Sequence, residues 1–518
     1  MAKKWWTLLA VSCGVFMLLL DITIVTVALP AIQHDLHASF TDLQWVVDAY
    51  ALTLAALLLT SGSLADLFGR RRLFAGGLAV FTVGSLLCGT ATGPLYLILA
   101  RSFQGIGGAA MLATSLALLA QAFQGRDRAV AFAVWGTVVA VGVAVGPLLG
   151  GVLTTDLSWR WIFFVNVPIG VVALAVTLLR VAESRQPGAH RPDWLGFTLF
   201  TSCLIALVYG LIRASLTSWT DVGVLLCFGL AAALAVTFVL AERVGQHPMF
   251  DLSLFSVPTF DGGLVASFCI SASVYSLLLY IVLYLQDGLG YSALGAGVRM
   301  LVISGGTFLT SALAARLTRI VPVRWLIAPG LAVAGVGLLL LTRLSATSGW
   351  DVLIPGFVLA GLGNGIVNPP LASTAVGVVE PHRAGMASGI NNTFRQVGVA
   401  TGIAALGSIF ATREAHDLAA ALHRVPALAP ATGAIEQAVR NGTTVASTGA
   451  GIPATLRIAL QQAVRASFVR GLDDIFLIAA VVAFVGAIGS LLLIRDRDFV
   501  AGSHLDDLAA EPVALEIG

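Results

Sequence analysis

Charge is what this sequence has least of. Only 11% of its 518 residues are Asp, Glu, Lys or Arg, where a soluble domain carries roughly 25%, so a water-facing surface of ordinary size cannot be built from it. Lysine is almost missing: Lys3 and Lys4 stand alone among the basic residues, the rest of which are arginine, a bias that suits a GC-rich genome. Cysteine is scarce and scattered, with Cys13, Cys88, Cys203, Cys227 and Cys269 in five separate apolar runs. Without CxxC spacing they support neither a disulfide framework nor a zinc ribbon and read as small packing residues. The eight histidines lie in loops or near helix ends without ligand spacing, so no metal site is expected. No basic stripe interleaves with exposed aromatics, which argues against nucleic-acid binding.

What is present is apolar. Hydrophobic residues make up 58% of the chain and the mean hydropathy is +0.93. Runs of about 20 apolar residues recur throughout, each able to cross a hydrocarbon core of ~30 Å. The expected fold class is therefore an all-α polytopic membrane protein. "MAKKWWTLLAVSCG" looks like a signal peptide, but its apolar run continues to Leu29 without an A-x-A site and reads as a retained first span. Apolar runs and their breakers give fourteen spans, the last two at 385–411 and 472–494. With the N-terminus inside, the short inner segments hold 17 Lys and Arg, including Arg70, Arg71 and Arg72, and the short outer loops hold three, Arg160, Arg213 and Arg343. That asymmetry places both termini in the cytoplasm.

The spans parse as six, two and six. The expected division is a six-helix bundle over 1–181, a linker with two additional helices over 182–258, a second six-helix bundle over 259–494, and a cytoplasmic tail over 495–518. A long outer segment, 412–471, interrupts the second bundle. Within it "PATLRIALQQAVRASFVRGL" has helical apolar spacing, compatible with a helix on the membrane surface or with a partly ordered loop.

A few polar residues sit inside the apolar runs. Asp21 lies within "MLLLDITIVTVALP", Asp48 within "WVVDAY" and Arg101 within "ARSFQGIGGAAM"; ionisable residues at such depth are expensive and point to function. At about 1.5 Å per residue, Asp48 falls ~8 Å, Arg101 ~9 Å and Asp21 ~15 Å below the outer edge, close enough in depth to face one cavity. "GSLADLFGRRRLF" joins spans 2 and 3. There Gly62 and Gly69 allow close approach and a tight turn, Asp66 can pair with a base or cap a helix, and Arg70 and Arg71 hold the loop inside. In "GVAVGPLLGG", Gly142, Gly146 and Gly150 share one helical face, flanked by Pro147 and Gly151, making a smooth, bent surface for another helix.

Together "LDITIVTVALP", "GSLADLFGRRR", "RSFQG", "GVAVGPLLGG" and "WRWIFFVNVPIG" resemble the major facilitator superfamily, and more narrowly its fourteen-helix drug:proton antiporters. "YLQDGLGYSALGAG" and "GMASGINNTFRQVG" extend the likeness into the second half. The resemblance implies proton coupling through Asp21, Asp48 and Arg101. It implies an inner-gate motif of Gly62, Asp66, Gly69, Arg70 and Arg71 that latches the halves when the outer side is open. It also implies an antiporter motif of Gly142, Gly146, Pro147, Gly150 and Gly151. Leu67 stands where many relatives carry a base, and the matching second-half loop is degenerate.

The expected function is proton-coupled export of small amphiphilic organic compounds by alternating access, without a cofactor other than the proton, without catalysis, and by a monomer in the bacterial cytoplasmic membrane among its lipids. A dedicated exporter of one metabolite, such as an antibiotic, siderophore or lipid, is the first alternative, and a membrane sensor or scaffold is the second. Candidate cavity residues are Gln104, Arg299, Asn391, Asn392, Arg395 and Gln396. Spans 10–14 are read as free of acids, which would disfavour divalent cations as substrates.

Overall fold

The computed structural model describes residues 3–123, 125–184, 193–245, 250–318, 320–345, 348–380, 383–424, 433, 435 and 454–499. A bilayer offers backbone groups no partner, so each crossing segment must satisfy its own as a helix. Fourteen helices among these residues are long and apolar enough to cross. They are α1 (Lys3–Leu36), α2 (Phe40–Phe68), α3 (Arg70–Gly89), α4 (Pro94–Ala122), α5 (Gly125–Asp156), α6 (Trp161–Arg180), α7 (Trp194–Leu216) and α8 (Val222–Val244). The rest are α9 (Pro258–Gly288), α10 (Ala293–Leu317), α11 (Arg324–Leu341), α12 (Trp350–Gly377), α13 (Ala384–His423) and α14 (Ala454–Leu493). Several starts are written locally. Ser39 and Asp42 close a reciprocal capping box on α2, and Asp193, Asp221 and Ser292 cap α7, α8 and α10, each satisfying amides that a helix start leaves free.

Packing divides the helices into two bundles with one plan. In the first, α1 packs on α5 and α6, and α4 packs on α2 and α3. In the second, α9 packs on α13 and α14, and α12 packs on α10 and α11. The bundles meet along two seams, α5 against α10 and α2 against α13. The additional pair α7 and α8 pack on each other, and α7 lies beside the α2–α13 seam. A chain of this length spanning a membrane fourteen times with this repeat is an all-α, six-plus-two-plus-six architecture.

The two ends of the molecule differ. At the end holding both termini, Gly62 of α2, Gly136 of α5 and Gly385 of α13 have nothing within 4 Å of the position a Cβ would take. At the far end the seams are shut. Phe40 of α2 packs between Tyr280 of α9 and Phe410 of α13, with ring centroids 5.9 and 5.7 Å away. Gln44 Nε2 and the Tyr280 hydroxyl both donate to the Ile403 carbonyl, at 3.1 and 2.7 Å. Gln286 donates to the Val27 carbonyl at 2.7 Å, and the Leu294 amide donates to Thr155 Oγ1 at 3.0 Å.

One expectation is corrected here. Residues 454–471 neither lie on the membrane surface nor form a loop; they are the first turns of α14, and α13 likewise runs past residue 411 to His423. The apolar stripe that suggested a lipid-facing helix, Leu456, Leu460, Ala463 and Val464, packs instead on Leu418 and Leu422 of α13. Ion pairs flank this contact, Arg413–Asp474 and Arg470–Asp417, both at 3.0 Å. Most of 425–453 and the tail from 500 onward lie outside the described residues.

Candidate functional site

The deepest charges sit inside the first bundle. Asp21 is 0% and Arg101 1% exposed. Arg101 Nη1 stands 2.5 Å from Asp21 Oδ2 and 2.7 Å from Gln104 Oε1, and its Nε reaches the Val46 carbonyl at 3.3 Å. Gln104 Nε2 donates to Asp21 Oδ1 at 2.9 Å and Asn166 Nδ2 does so at 3.4 Å. Ser85 Oγ accepts from both amides and donates to the Phe163 carbonyl. The guanidinium carbon lies 4.2 Å from the Tyr50 ring centroid. Burying an ion pair in a dry bundle costs several kcal/mol per ion, and only near-complete satisfaction of its lone pairs and protons offsets this. Helices α1, α2, α3, α4 and α6 together supply that satisfaction. Ser85, Asn166 and Tyr50 were not picked out from sequence, although Asn166 sits within an apolar run much as Asp21 does.

Asp48 does not join this cluster. On α2 the positions 46 and 50 face α4, while 44, 48, 51, 55 and 59 form the stripe that meets α13. Its members pair with Ile403, with Ala400 and Ala404, with Thr393 and with Gly389. Equal depth therefore placed Asp48 beside Asp21 in sequence terms, and rotation about the helix axis separates them.

The inner-gate motif is tied to its own bundle. Gly69 adopts φ +111°, a backbone that side chains avoid, and Glu183 Oε1 lies 2.5 Å from where its Cβ would be. Glu183 accepts from the amides of Arg71 and Ser184. Arg71 donates to the Thr177 and Leu178 carbonyls at the end of α6, a favourable place for a cation. Arg70 Nη2 meets Asp66 Oδ1 at 3.0 Å. Among the described residues these side chains make no bond to the second bundle. Glu183, read from sequence only as linker, organises the turn.

The glycine-rich stretch of α5 has two working faces. A Cβ at Gly146 would overlap Thr23 of α1, and one at Gly150 would lie 2.7 Å from the Ile24 carbonyl. A Cβ at Gly142 would stand 3.2 Å from Leu19 Cβ. On the other face Gly151 abuts Ala293 and Leu294, and the Pro147 carbonyl fills the space beside Gly297 of α10. Three glycines thus bind α5 to α1, while Pro147 and Gly151 meet the opposite bundle.

Between the bundles lies a narrow cleft of about 30 Å³, lined by Thr23, Thr26 and Pro147 from the first and by Tyr275, Ser304, Thr307 and Asn364 from the second, with Val143, Val274, Leu278, Met300 and Ile303 between them. Its lining carries hydroxyls and an amide but no carboxylate and no cationic side chain. Asn364 Nδ2 lies 3.3 Å from both the Tyr275 hydroxyl and Thr307 Oγ1, and Asn368 reaches the same hydroxyl at 3.4 Å. Tyr275 ends a π-turn, Ser271–Tyr275, in α9; such turns re-aim side chains at functional sites.

The candidate cavity residues largely lie elsewhere. Gln104 belongs to the Asp21 cluster. Arg299 stacks on Tyr291 and Trp350 and donates to the Gly295 carbonyl one turn back. Asn391 accepts from Ser267 within its own bundle, and Asn392 donates to the Ser388 carbonyl. Arg395 is not in the cleft lining but lies 5.9 Å from the ring centroid of Tyr275, which is, and Gln396, next in sequence, is half-buried. Long polar side chains find nearer carbonyls and rings than a central cavity. The second-half helices are also not acid-free. Asp351, Asp473 and Asp474 fall within α12 and α14, and none lines the cleft.

The sequence family described as Major Facilitator Superfamily matches residues 11–403. The chain is a member of that superfamily. Among its relatives in it, "Multidrug resistance protein Stp" of Mycobacterium tuberculosis is 38% identical over 406 residues, 78% of this chain and 75% of the relative. The "Tetracenomycin C resistance and export protein" of Streptomyces glaucescens is 33% identical over 490 residues, 94% and 90% of the two chains. Among solved structures, a bacterial homologue of the lysosomal transporter Spinster superposes with a TM-score of 0.60 at 19% identity, covering 96% of this chain and 99% of its own. That likeness concerns the fold. As a major facilitator, the protein is a multi-pass membrane protein with its bundles, seams and central cleft in the arrangement described above.

Proposed function

We propose that this major facilitator exports small amphiphilic organic compounds across the bacterial cytoplasmic membrane by alternating access, driven by proton entry. The observation that carries this reading is the cleft lined by both bundles, with the seam at the far end shut by Phe40, Tyr280 and Phe410, while Gly62, Gly136 and Gly385 at the opposite end meet open space. The arginine-rich short segments assign the termini to the cytoplasm, so the cleft loads from inside. An export cycle needs the two ends to open in turn. The inner-gate motif, bound only to its own bundle in this state, is free to engage the other bundle when the far end opens.

Coupling rests on Asp21. A proton on this carboxylate cancels the charge that holds Arg101, releases the guanidinium towards the Val46 carbonyl and the Tyr50 ring, and loosens α1 from α4 and α6. Because α1 also carries Thr23 and Thr26 into the cleft and packs on Gly146 and Gly150, protonation is transmitted to the seam with α10. The protein works as a monomer in lipid, with the proton as its coupling ion and no other cofactor. Purified protein in lipid vesicles, given a panel of amphiphiles and an imposed pH gradient, tests the proposal; no accumulation of any of them under the gradient would sink it.

A narrower reading has its own support. The relative that spans 94% of this chain is named for export of one compound, tetracenomycin C. Dedicated export of a single metabolite would show in the same assay as transport of one chemical class only.

A further inference from the structure

The two seams between the bundles differ on the side that faces lipid. The α2–α13 seam stays in contact well towards the cytoplasmic end. Thr393 Oγ1 donates to the Ala55 carbonyl at 3.5 Å, and Leu59 Cδ2 lies 2.5 Å from where a Cβ on Gly389 would be. This seam is also covered. Leu204 and Val208 of α7 cluster with Ala51 and Ala55 of α2 and with Ala400 and Ala404 of α13. Closer to the cytoplasm, Phe238 of α8 and Phe250 join the cluster that holds Leu59, Ala387 and Ile390. Other faces of the pair, with Ile205 on α7 and Leu226 and Leu230 on α8, are exposed and apolar, as a wall against lipid must be.

The α5–α10 seam has neither feature. In its far half the helices touch and run antiparallel: Gly151 abuts Ala293, and the Pro147 carbonyl lies 2.3 Å from the Cβ position of Gly297. Gly136 stands eleven residues, about three turns, nearer the cytoplasm than Pro147 on the same face of α5, and Phe308 stands as far beyond Gly297 on α10. These two positions would meet if the seam stayed shut. Instead a Cβ on Gly136 or on Gly305 finds nothing within 4 Å, and Phe308 is 39% exposed. The flanks of this gap, Val134, Leu309 and Leu313, are exposed and apolar. One turn above Phe308 the cleft lining begins, with Ser304 and Thr307. We propose that amphiphiles dissolved in the cytoplasmic leaflet enter the cleft sideways, between the inner halves of α5 and α10, while α7 and α8 seal the other seam against the bilayer. The inference rests on the export of amphiphiles proposed above and names their route of entry. An amphiphile concentrates in the leaflet because water expels its apolar part, so an opening that faces lipid meets far more of it than a mouth that faces water. The additional helix pair thereby leaves one lateral route instead of two.

The test irradiates the wild-type protein in lipid nanodiscs with a single-chain fatty acid that carries a diazirine at the end of its chain, and maps the adducts by peptide mass spectrometry. Adducts are expected on Val134, Phe308 and Leu309 and, within the cleft, on Met300, Ser304 or Thr307, but not on the seam faces of α2 and α13 around Leu59 and Ala400. Adducts on Leu226 and Leu230, exposed on α8, give the reference for ordinary lipid contact. Gly136→Trp, which fills open space in this state, should lose the cleft adducts relative to that reference, and Phe308→Ala should raise them. Three results overturn the inference: no cleft adducts in the wild type, cleft adducts that neither variant changes, or equal labelling around Leu59 and Ala400. Labelling needs neither a gradient nor turnover. Side entry without gradient-driven export in vesicles therefore removes only the export reading, and export with cleft labelling that ignores both variants removes only the lateral route.

Discussion

Asp21 receives three donors, from Arg101, Gln104 and Asn166, and is fully buried. A carboxylate so enclosed is reached from outside its bundle only when a helix moves, which is the access a coupling residue requires. Replacing it with asparagine keeps the shape and removes titration. We predict that Asp21→Asn inserts normally and still binds substrate, but no longer accumulates it against a gradient when driven by pH in vesicles; retained accumulation would falsify the assignment. Arg101 has a structural role in the same cluster. Arg101→Met leaves the Asp21 carboxylate buried without its cation, an arrangement that costs about 3–5 kcal/mol. The thermal midpoint in detergent should fall markedly, and Asp21→Asn in the same chain should recover much of the loss. Equal midpoints for the single and double variants would show that the pair is not what stabilises this bundle.

At the scale of elements, close contact and open space on the seam helices make opposite predictions for similar substitutions. Gly146 has no room towards Thr23, so Gly146→Leu must part α1 from α5. It should insert in the membrane yet abolish transport, and wild-type turnover would reduce the glycine stripe to ordinary packing. Gly62, on the α13-facing stripe of α2, meets open space in this state. Gly62→Leu should therefore leave the present state undisturbed and block its conversion. In that variant a cysteine introduced at Gly385 of α13, which also meets open space, should stay reactive to a membrane-impermeant reagent from the cytoplasmic side under all conditions. Protection of that cysteine on adding substrate and a pH gradient would count against it.

For the whole molecule, substrate charge is set by what the cleft lacks. Its lining offers hydroxyls, the Asn364 amide and apolar surface, with no acid to meet a dication. A monovalent dye or an acidic polyketide is expected to be exported, and a divalent biguanide poorly or not at all, in a side-by-side vesicle assay. Arg299, held on Tyr291 and Trp350, should be replaceable by glutamine without changing that order. Arg395 lies over the Tyr275 ring, and Arg395→Gln should weaken acidic substrates alone. Efficient divalent export unaffected by Arg395→Gln would sink the charge argument.

Periodicity and composition were enough to establish fourteen membrane helices and the positions of the motifs, because both depend on neighbours along the chain and on the bilayer's refusal of bare backbone. "GVAVGPLLGG" could be read as a helix-packing face because residues four apart share a side of any helix. The sequence was also enough to show that Asp21 and Arg101 lie at similar depth. It could not show which way each residue faces around its helix, and that alone decides their chemistry. Rotation about α2 sends Asp48 to an unpartnered place in the α13 seam, and rotation about α1 sends Asp21 to three donors. The same blindness misplaced Arg299, Asn391 and Gln104, each of which bonds at least one group nearer than the cleft, and the start of α14, whose apolar stripe met α13 before it could meet lipid. Partner choice between distant segments is a property of packing, and packing exists only in the folded protein.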